Sequence, residues 1–364
     1  MRMILSLLFL ASSALAAAAE LQSSAGPVKI EKMAAGLDEP WAVAFLPDGG
    51  VLITERAGRL WHRRADGQIR PVAMRLDIQV QGQGGLLDVV VARDFAETRE
   101  VFLSFAKPRG RGSGTALAVG RLDVAGSRLV DVRVIFEMAP GSSGGRHFGS
   151  RIVEAPDGVL FLTIGDRADR PAAQDLRRHN GAIIRVRRDG SVPADNPFVG
   201  VAGAQPEIWS YGHRNAQGAA LDAQGQLWAV EHGAQGGDEV NRIMRGANYG
   251  WPVIAYGRHY SGGRIGEGTA RDGMQQPAFY WDPSMAPSGM MIYSGRLWPD
   301  WAGDIFIGSL KFDYISRLKG APLREVEQLA GPETERVRDI REAPDGSIWF
   351  LSVGQGGLYR MTPG

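Results

Sequence analysis

One phrase recurs along this chain: an apolar run, a turn of the Pro-Asp-Gly type, and a second apolar run. It reads WAVAFLPDGGVLITER at 41–56, SRIVEAPDGVLFLTIGD at 150–166, GAALDAQGQLWAVEHG at 218–233 and RDIREAPDGSIWFLSVG at 338–354. Looser copies are GLLDVVVARDFAETREVFLSFA at 85–106 and WAGDIFIGSLKFDYISRL at 301–318. A turn of this type between two alternating runs specifies a tight hairpin, because its glycine accepts the positive φ the turn needs. A further strand pattern follows most copies: GRLWHRR (58–64), TALAVGRLDV (115–124), AIIRVRRDG (182–190) and GGLYRMT (356–362).

The chain therefore reads as six four-stranded units. One such unit cannot bury both of its faces alone, whereas six stacked in a ring can. The predicted fold is all-β: a six-bladed β-propeller with four-stranded antiparallel blades. The last strand is expected to close the ring against the first strands after residue 27. A two-layer β-sandwich is the competing architecture, but it does not call for a repeated phrase. No helical pattern of any length interrupts the repeats. The polar, Gly-rich stretch 255–278 reads as a long loop over one mouth of the ring.

The N-terminus reads as a leader. Residues 1–19 have a charged start, an apolar centre and a run of alanines before Glu20, the pattern of a secretory signal peptide. The apolar run is short for a span, which needs ~20 apolar residues, so no stable membrane span is predicted. Residues 20–364 are then one exported domain, periplasmic or secreted. The absence of cysteine excludes disulfides, thiolate nucleophiles and Cys-based metal sites. A net charge of +1 argues against nucleic acid as a partner.

The residues able to carry chemistry lie at the ends of strand patterns. His147 follows the flexible run APGSSGGRHFGS and precedes an inner-strand pattern. Arg214 and Asn215 stand in YGHRNAQG, Lys311 in IGSLKFDY, and Arg336 and Arg338 in ERVRDI. The reading places His147 and these four cations in one slot, the entry to the innermost strand, in different units. In a propeller such slots converge on the axis. Cations gathered there in a nearly neutral chain imply an anionic ligand bearing carboxylates or phosphates. The acidic, Gly-rich loop Glu231–Glu239 offers carbonyls and carboxylates to a hard cation. It reads equally as an ordinary Gly-rich turn with local capping. No phosphate-cradling loop and no serine nucleophile elbow is present.

Together these segments resemble the glucose/sorbosone dehydrogenase family, exported quinoprotein sugar dehydrogenases on a six-bladed propeller. The resemblance runs from about Gly36 to the C-terminus. It is carried in order by GLDEPWAVAFLPDG, GQGGLLD, HFGSRIVEAPDG, SVPADNPF, YGHRNAQG, EHGAQGGDE, NYGWP, SLKFDYI and RVRDI. The chain is more similar to the aldose sugar dehydrogenase branch than to the glucose-specific one, being compact and carrying HFG after the first Gly-rich loop.

The resemblance implies pyrroloquinoline quinone (PQQ) and Ca²⁺ as cofactors, an aldose as substrate, and a quinone or cytochrome as electron acceptor. It implies His147 as general base and Arg214 as stabiliser of charge on the quinone oxygen. It implies Gln83, Arg214, Asn215, Gly233, Ala234, Tyr260, Lys311, Arg336 and Arg338 around PQQ. It places one Ca²⁺ on the carbonyls of Gly233 and Ala234 and a structural Ca²⁺ near Glu239 and Tyr249. Two departures stand out. Arg146 replaces an acidic residue found in the glucose-specific branch, which favours a broad range of aldoses. Ala234 replaces a proline, a mild change because only its carbonyl is used. A Ca-dependent lactonase has no use for Lys311, Arg336 and Arg338, and a non-catalytic glycan- or protein-binding propeller gives His147 and Arg214 no joint role.

Overall fold

The computed structural model describes residues 19–364. The leader read at 1–19 lies, but for Ala19, outside the described residues. Six antiparallel sheets are arranged around one axis. Their innermost strands are Pro40–Phe45, Leu86–Val91, Ile152–Glu154, Ala216–Leu221, Pro287–Ile292 and Val337–Glu342, in blades 1 to 6. Each inner strand packs on the inner strands of the two neighbouring blades. In blade 6 the C-terminal strand Gly357–Pro363 pairs with Gly26–Ala34, and Ala19–Ser23 adds a fifth strand outside it. The ring therefore closes by pairing the two ends of the described chain, as the sequence led us to expect.

The turn chemistry repeats atom for atom. In blade 1 the Leu46 amide donates to the Gly50 carbonyl at 2.8 Å and the Gly49 amide to Leu46 at 3.1 Å. The same two bonds recur at Ala155/Val159, Asp222/Gln226 and Ala343/Ser347. The glycines Gly49, Gly158, Gly225 and Gly346 have φ between 78° and 87°. An L side chain there would cost roughly 1–2 kcal/mol, which is why the glycine recurs in the phrase.

Burial explains the ring. Each pair of adjacent blades shares one apolar cluster. Trp41, Leu52 and Leu60 of blade 1 pack with Leu86, Phe105 and Ala118 of blade 2. Phe102 and Val119 pack with Ile152 and Leu162 of blade 3, and Phe161 with Ala219 and Leu227 of blade 4. Val230 and Val240 then meet Ile305 and Ile307 of blade 5. Phe306 meets Ile340 and Phe350 of blade 6, and Leu351 returns to Val43 and Ile53. A middle strand such as Leu160–Thr163 is buried on both sides, so it reads as a continuous apolar run rather than an alternating one.

One expectation is corrected. In blade 5 the segment 301–318 supplies the second and third strands, Ile305–Ser309 and Tyr314–Lys319, and not an inner hairpin. The inner strand of that blade is Pro287–Ile292. Lys311 therefore sits in the turn between second and third strands. That turn opens on the same end of the propeller as the entries to the inner strands, so Lys311 still reaches the site. The loop 255–278 joins the third and fourth strands of blade 4. It is pinned by Ile265, which packs with Ala173, Ala234 and Trp251.

Candidate active site

A cleft of about 630 Å³ opens on the axis at this end, within the range of small-molecule sites. Gln83, Asn215, Gln217, His232, Lys311, Arg336 and Arg338 are among its walls. Below it the axis is closed by buried charges. Arg151 pairs with Asp88 at 2.9 Å and Asp339 at 3.1 Å, and Arg341 pairs with the same two carboxylates at 3.0 and 3.1 Å. The cleft is thus a blind pocket, not a through channel.

His147 stands at the rim, with φ of 60°, a strained value for a non-glycine residue. Three features hold it there. Its amide donates to Gln83 Oε1 at 2.8 Å. Gly165 faces its carbonyl so closely that a Cβ would lie 2.2 Å from that oxygen. Its Nδ1 is 2.6 Å from Asp166 Oδ1. Asp166 is itself fixed by Trp251 Nε1 at 2.8 Å and by the Ala168 amide at 2.7 Å. The Nδ1 edge is occupied by a carboxylate, so Nε2 is the nitrogen left for a ligand.

The electrostatics suit a base. Burial lowers the His147 pKa below the usual histidine range; the Asp166 hydrogen bond opposes this, and the Arg214 charge adds to it. Burial works to raise the Asp166 carboxyl, but the bond and charge of His147, the Ala168 amide and Arg214 together outweigh it and the pKa falls. The pair is therefore a carboxylate beside a neutral imidazole at neutral pH.

Arg214 adjoins the same rim. Its Nη1 donates to the His232 carbonyl at 3.3 Å, and its buried Nε has no partner. Its guanidinium lies 5.5 Å from the Trp251 ring. The neighbouring Asn215 uses its side-chain oxygen to accept the Gly149 amide at 3.1 Å, which ties the His147 loop to blade 4. Arg336, at φ 53°, donates to the Leu310 carbonyl at 2.8 Å. Arg338 donates to Gln217 Oε1 at 2.6 Å. Burial, reinforced by Arg151 and Arg336, lowers Arg338 to about 10, so it stays charged at neutral pH.

Among the described residues no carboxylate pairs with Arg214, Lys311, Arg336 or Arg338. The acids of the cleft wall have other partners: Glu39 pairs with Arg56, Asp313 accepts the Arg336 amide, and Glu335 accepts Gln355. Four cations without carboxylate partners, three of them held by neutral acceptors and one of these with an orphaned nitrogen, call for an anionic ligand. A tricarboxylate such as PQQ fits this donor set.

The remaining expectations divide. Gly233 and Ala234 lie in a tight loop in which the Gly233 amide donates to Asp238 at 2.8 Å. Glu239 is half-buried beside Glu231, and desolvation together with that charge pushes it up to about 8. Asn241 bridges the two carboxylates at 3.1 and 3.2 Å. The Tyr249 hydroxyl does not turn to Glu239: it donates to the Arg242 carbonyl at 2.5 Å and accepts the Met244 amide at 2.9 Å. Among the described residues no three His, Asp or Glu side chains gather for a metal. Tyr260 is 73% exposed in the mouth loop and is not part of the cleft wall.

Asp166, Trp251, Gln217 and His232 were missed from the sequence. Asp166 left a signal there as the Gly-Asp that ends the apolar run LFLTIGD, and the other three stand inside NYGWP, YGHRNAQG and EHGAQGGDE.

Fold and site together define a propeller with a cation-lined cleft on its axis and a carboxylate-oriented imidazole at the rim. The chain belongs to the glucose/sorbosone dehydrogenase family, whose model matches residues 37–360. It is 42% identical over 352 residues to aldose sugar dehydrogenase YliI of Escherichia coli (strain K12), covering 94% of this chain and 95% of that one. The crystal structure of the apo-form of the soluble aldose sugar dehydrogenase from Escherichia coli matches with a TM-score of 0.89 at 40% identity, over 93% of this chain and 100% of that one. The PQQ-bound form of aldose sugar dehydrogenase from Streptomyces coelicolor matches with a TM-score of 0.76 at 25% identity, over 92% and 98% of the two chains.

Proposed function

We propose that this protein is an exported PQQ- and Ca²⁺-dependent dehydrogenase that oxidises aldoses at C1 to lactones. The observation that carries the reading is the junction of two things in one place: a neutral His147 held by Asp166, and four cations without carboxylate partners. The first can take a proton and the second can hold a tricarboxylate. PQQ bound in the cleft would supply a two-electron acceptor for the hydride leaving C1.

The chain's own part is as follows. His147 Nε2 takes the proton of the C1 hydroxyl, and Asp166 keeps Nδ1 protonated and stabilises the resulting imidazolium. Arg214 would hold the cofactor's quinone oxygen and stabilise negative charge there. Lys311, Arg336 and Arg338 would hold its carboxylates, and Gln83 and Asn215 fix the His147 loop against the cleft. The carbonyls of Gly233 and Ala234 would hold Ca²⁺, and a second Ca²⁺ beside Glu239 would relieve the charge crowding with Glu231. Tyr260 belongs to the mouth, where the substrate would enter. The electron acceptor is a quinone or a cytochrome.

The test is reconstitution. Purified apoprotein is given PQQ and Ca²⁺, and reduction of an artificial dye is followed with a panel of aldoses. Aldose-dependent reduction that needs both additions supports the reading. Lactone hydrolysis without PQQ, or no turnover despite PQQ binding, would overturn it.

A further inference from the structure

Arg146 and Arg170 are cations that the cofactor reading leaves without work. Among the described residues neither pairs with a carboxylate. The acids near them in the chain are taken: Asp166 by His147, and Asp169 by Arg178 at 2.8 Å. Arg170 opens the short 3₁₀ turn Arg170–Gln174 and is half-buried. Its guanidinium lies 5.2 Å from the centre of the Trp251 ring, the same indole that Arg214 approaches at 5.5 Å. That indole donates its N–H to Asp166, the carboxylate that holds His147. Only the side chains of Trp251 and Asp166 therefore separate Arg170 from the base. Arg146 directly precedes His147. Its carbonyl is held by Arg167 Nη1 at 2.5 Å, while its own side chain is exposed.

The one hydrogen-bond partner of Arg170 does not neutralise it. Nη1 lies 2.8 Å from Nδ1 of His259 in the mouth loop. A guanidinium only donates, so Nδ1 accepts and the ring N–H is left on Nε2. The pair offers donors and no acceptor. Two guanidiniums that share one indole also repel each other unless an anion joins them. PQQ does not account for this surplus. Lys311, Arg336 and Arg338 already match its three carboxylates, and Arg214 is assigned to its quinone oxygen. The unused cations lie on the His147 side, where a substrate presents its C1 hydroxyl.

We propose that Arg170, with Arg146 beside the base, binds an anionic group on the substrate, so that the preferred substrate is an aldose bearing a carboxylate or phosphate away from C1. This rests on the proposed function and narrows its substrate class. A neutral sugar offers the guanidinium only hydroxyl acceptors, whereas an anion makes a charge-assisted bond roughly twice as strong.

The test compares aldoses that differ only at C6: glucuronate and glucose 6-phosphate against glucose. Enzyme loaded with PQQ and Ca²⁺ is assayed by dye reduction at low ionic strength, where exposed charges are least screened. Wild type is expected to give kcat/KM about tenfold higher or more for an anionic sugar, the scale of one charge-assisted hydrogen bond. Which of the two is favoured tells carboxylate from phosphate. Arg170→Gln should remove most of that preference, and Arg170→Lys, which keeps the charge, should retain part of it. Methyl glycosides of glucuronate and glucose are blocked at C1 and give a second readout as competitive inhibitors. The methyl glucuronide should inhibit wild type at lower concentration, and Arg170→Gln should narrow the gap. Circular dichroism checks that each variant is folded. No preference for either anionic sugar in wild type, or an undiminished preference in folded Arg170→Gln, would overturn this inference and leave the dehydrogenase reading in place. Failure of every aldose to reduce the dye despite bound PQQ would overturn both.

Discussion

Replacing Asp166 by asparagine exchanges one oxygen for an NH₂ group at almost constant volume. The native carboxylate accepts at both oxygens: Oδ1 from His147 and the Ala168 amide, Oδ2 from Trp251. Asparagine has one acceptor. If its oxygen stays toward His147, the NH₂ meets Trp251 Nε1–H. If it turns, the NH₂ meets the Ala168 N–H and obliges His147 Nδ1 to accept, which moves the ring proton to Nε2 and removes the base. In either orientation the negative charge that steadies an imidazolium is gone. A general base contributes about 10²- to 10⁴-fold, so kcat of the loaded enzyme at saturating aldose should fall by that factor, roughly 3–5 kcal/mol of barrier. PQQ affinity should stay within about threefold, because Asp166 is not one of the cations that would hold it.

The pH profile adds a second reading of the same change. Turnover needs neutral His147, so the rate falls as pH drops through its pKa. Asp166 raises that pKa against burial and Arg214. Removing its charge should move the acid limb of kcat/KM to lower pH in whatever activity remains. Stopped-flow dye reduction measures both quantities. A kcat within about fivefold of wild type, or an acid limb displaced upward, would refute the role given to the His147–Asp166 pair.

Other consequences are open to direct measurement. Changing Arg336 and Arg338 together to alanine should weaken PQQ uptake by tenfold or more while slowing the saturated enzyme less; the reverse order removes them from the cofactor cradle. Glu239, raised to about 8, contributes stability that is complete below its unfolded value and is lost as pH rises through 8. Calcium-free protein should therefore have a lower Tm at pH 8 than at pH 6, and Glu239→Gln should reduce both that difference and the Tm gain on adding Ca²⁺. Gly165→Ala forces a Cβ against the His147 carbonyl, so kcat should drop by at least tenfold with a fold that still melts cooperatively. Gly49→Ala, at φ 81°, should cost roughly 1–2 kcal/mol in denaturant unfolding and leave turnover intact.

Much of the scaffold is a local property. A Pro-Asp-Gly turn between two apolar runs makes its hairpin through bonds that span four residues, so the phrase could be recognised wherever it occurred. Its repetition then pointed to a ring, because each blade must bury two faces. Blade 5 escaped this logic: its inner strand Pro287–Ile292 has no such turn after it, and the phrase-like segment 301–318 forms the next hairpin instead. The cations and His147 were legible as residues standing at strand ends.

What sequence could not say is which of them touch. His147 meets Asp166 across 19 positions, Asp166 meets Trp251 across 85, and Arg338 meets Gln217 across 121. Those pairings exist only because six blades close and bring distant strand ends to one axis. Tyr260 shows the converse, a residue that the resemblance placed around the cofactor and that packing leaves in the open. Local turn chemistry determined the hairpins of four blades, since it needs only neighbours in the chain. Closure of the ring decided the protonation state of His147 and the unpaired charge of the cleft, since burial and electrostatics depend on everything that surrounds a group.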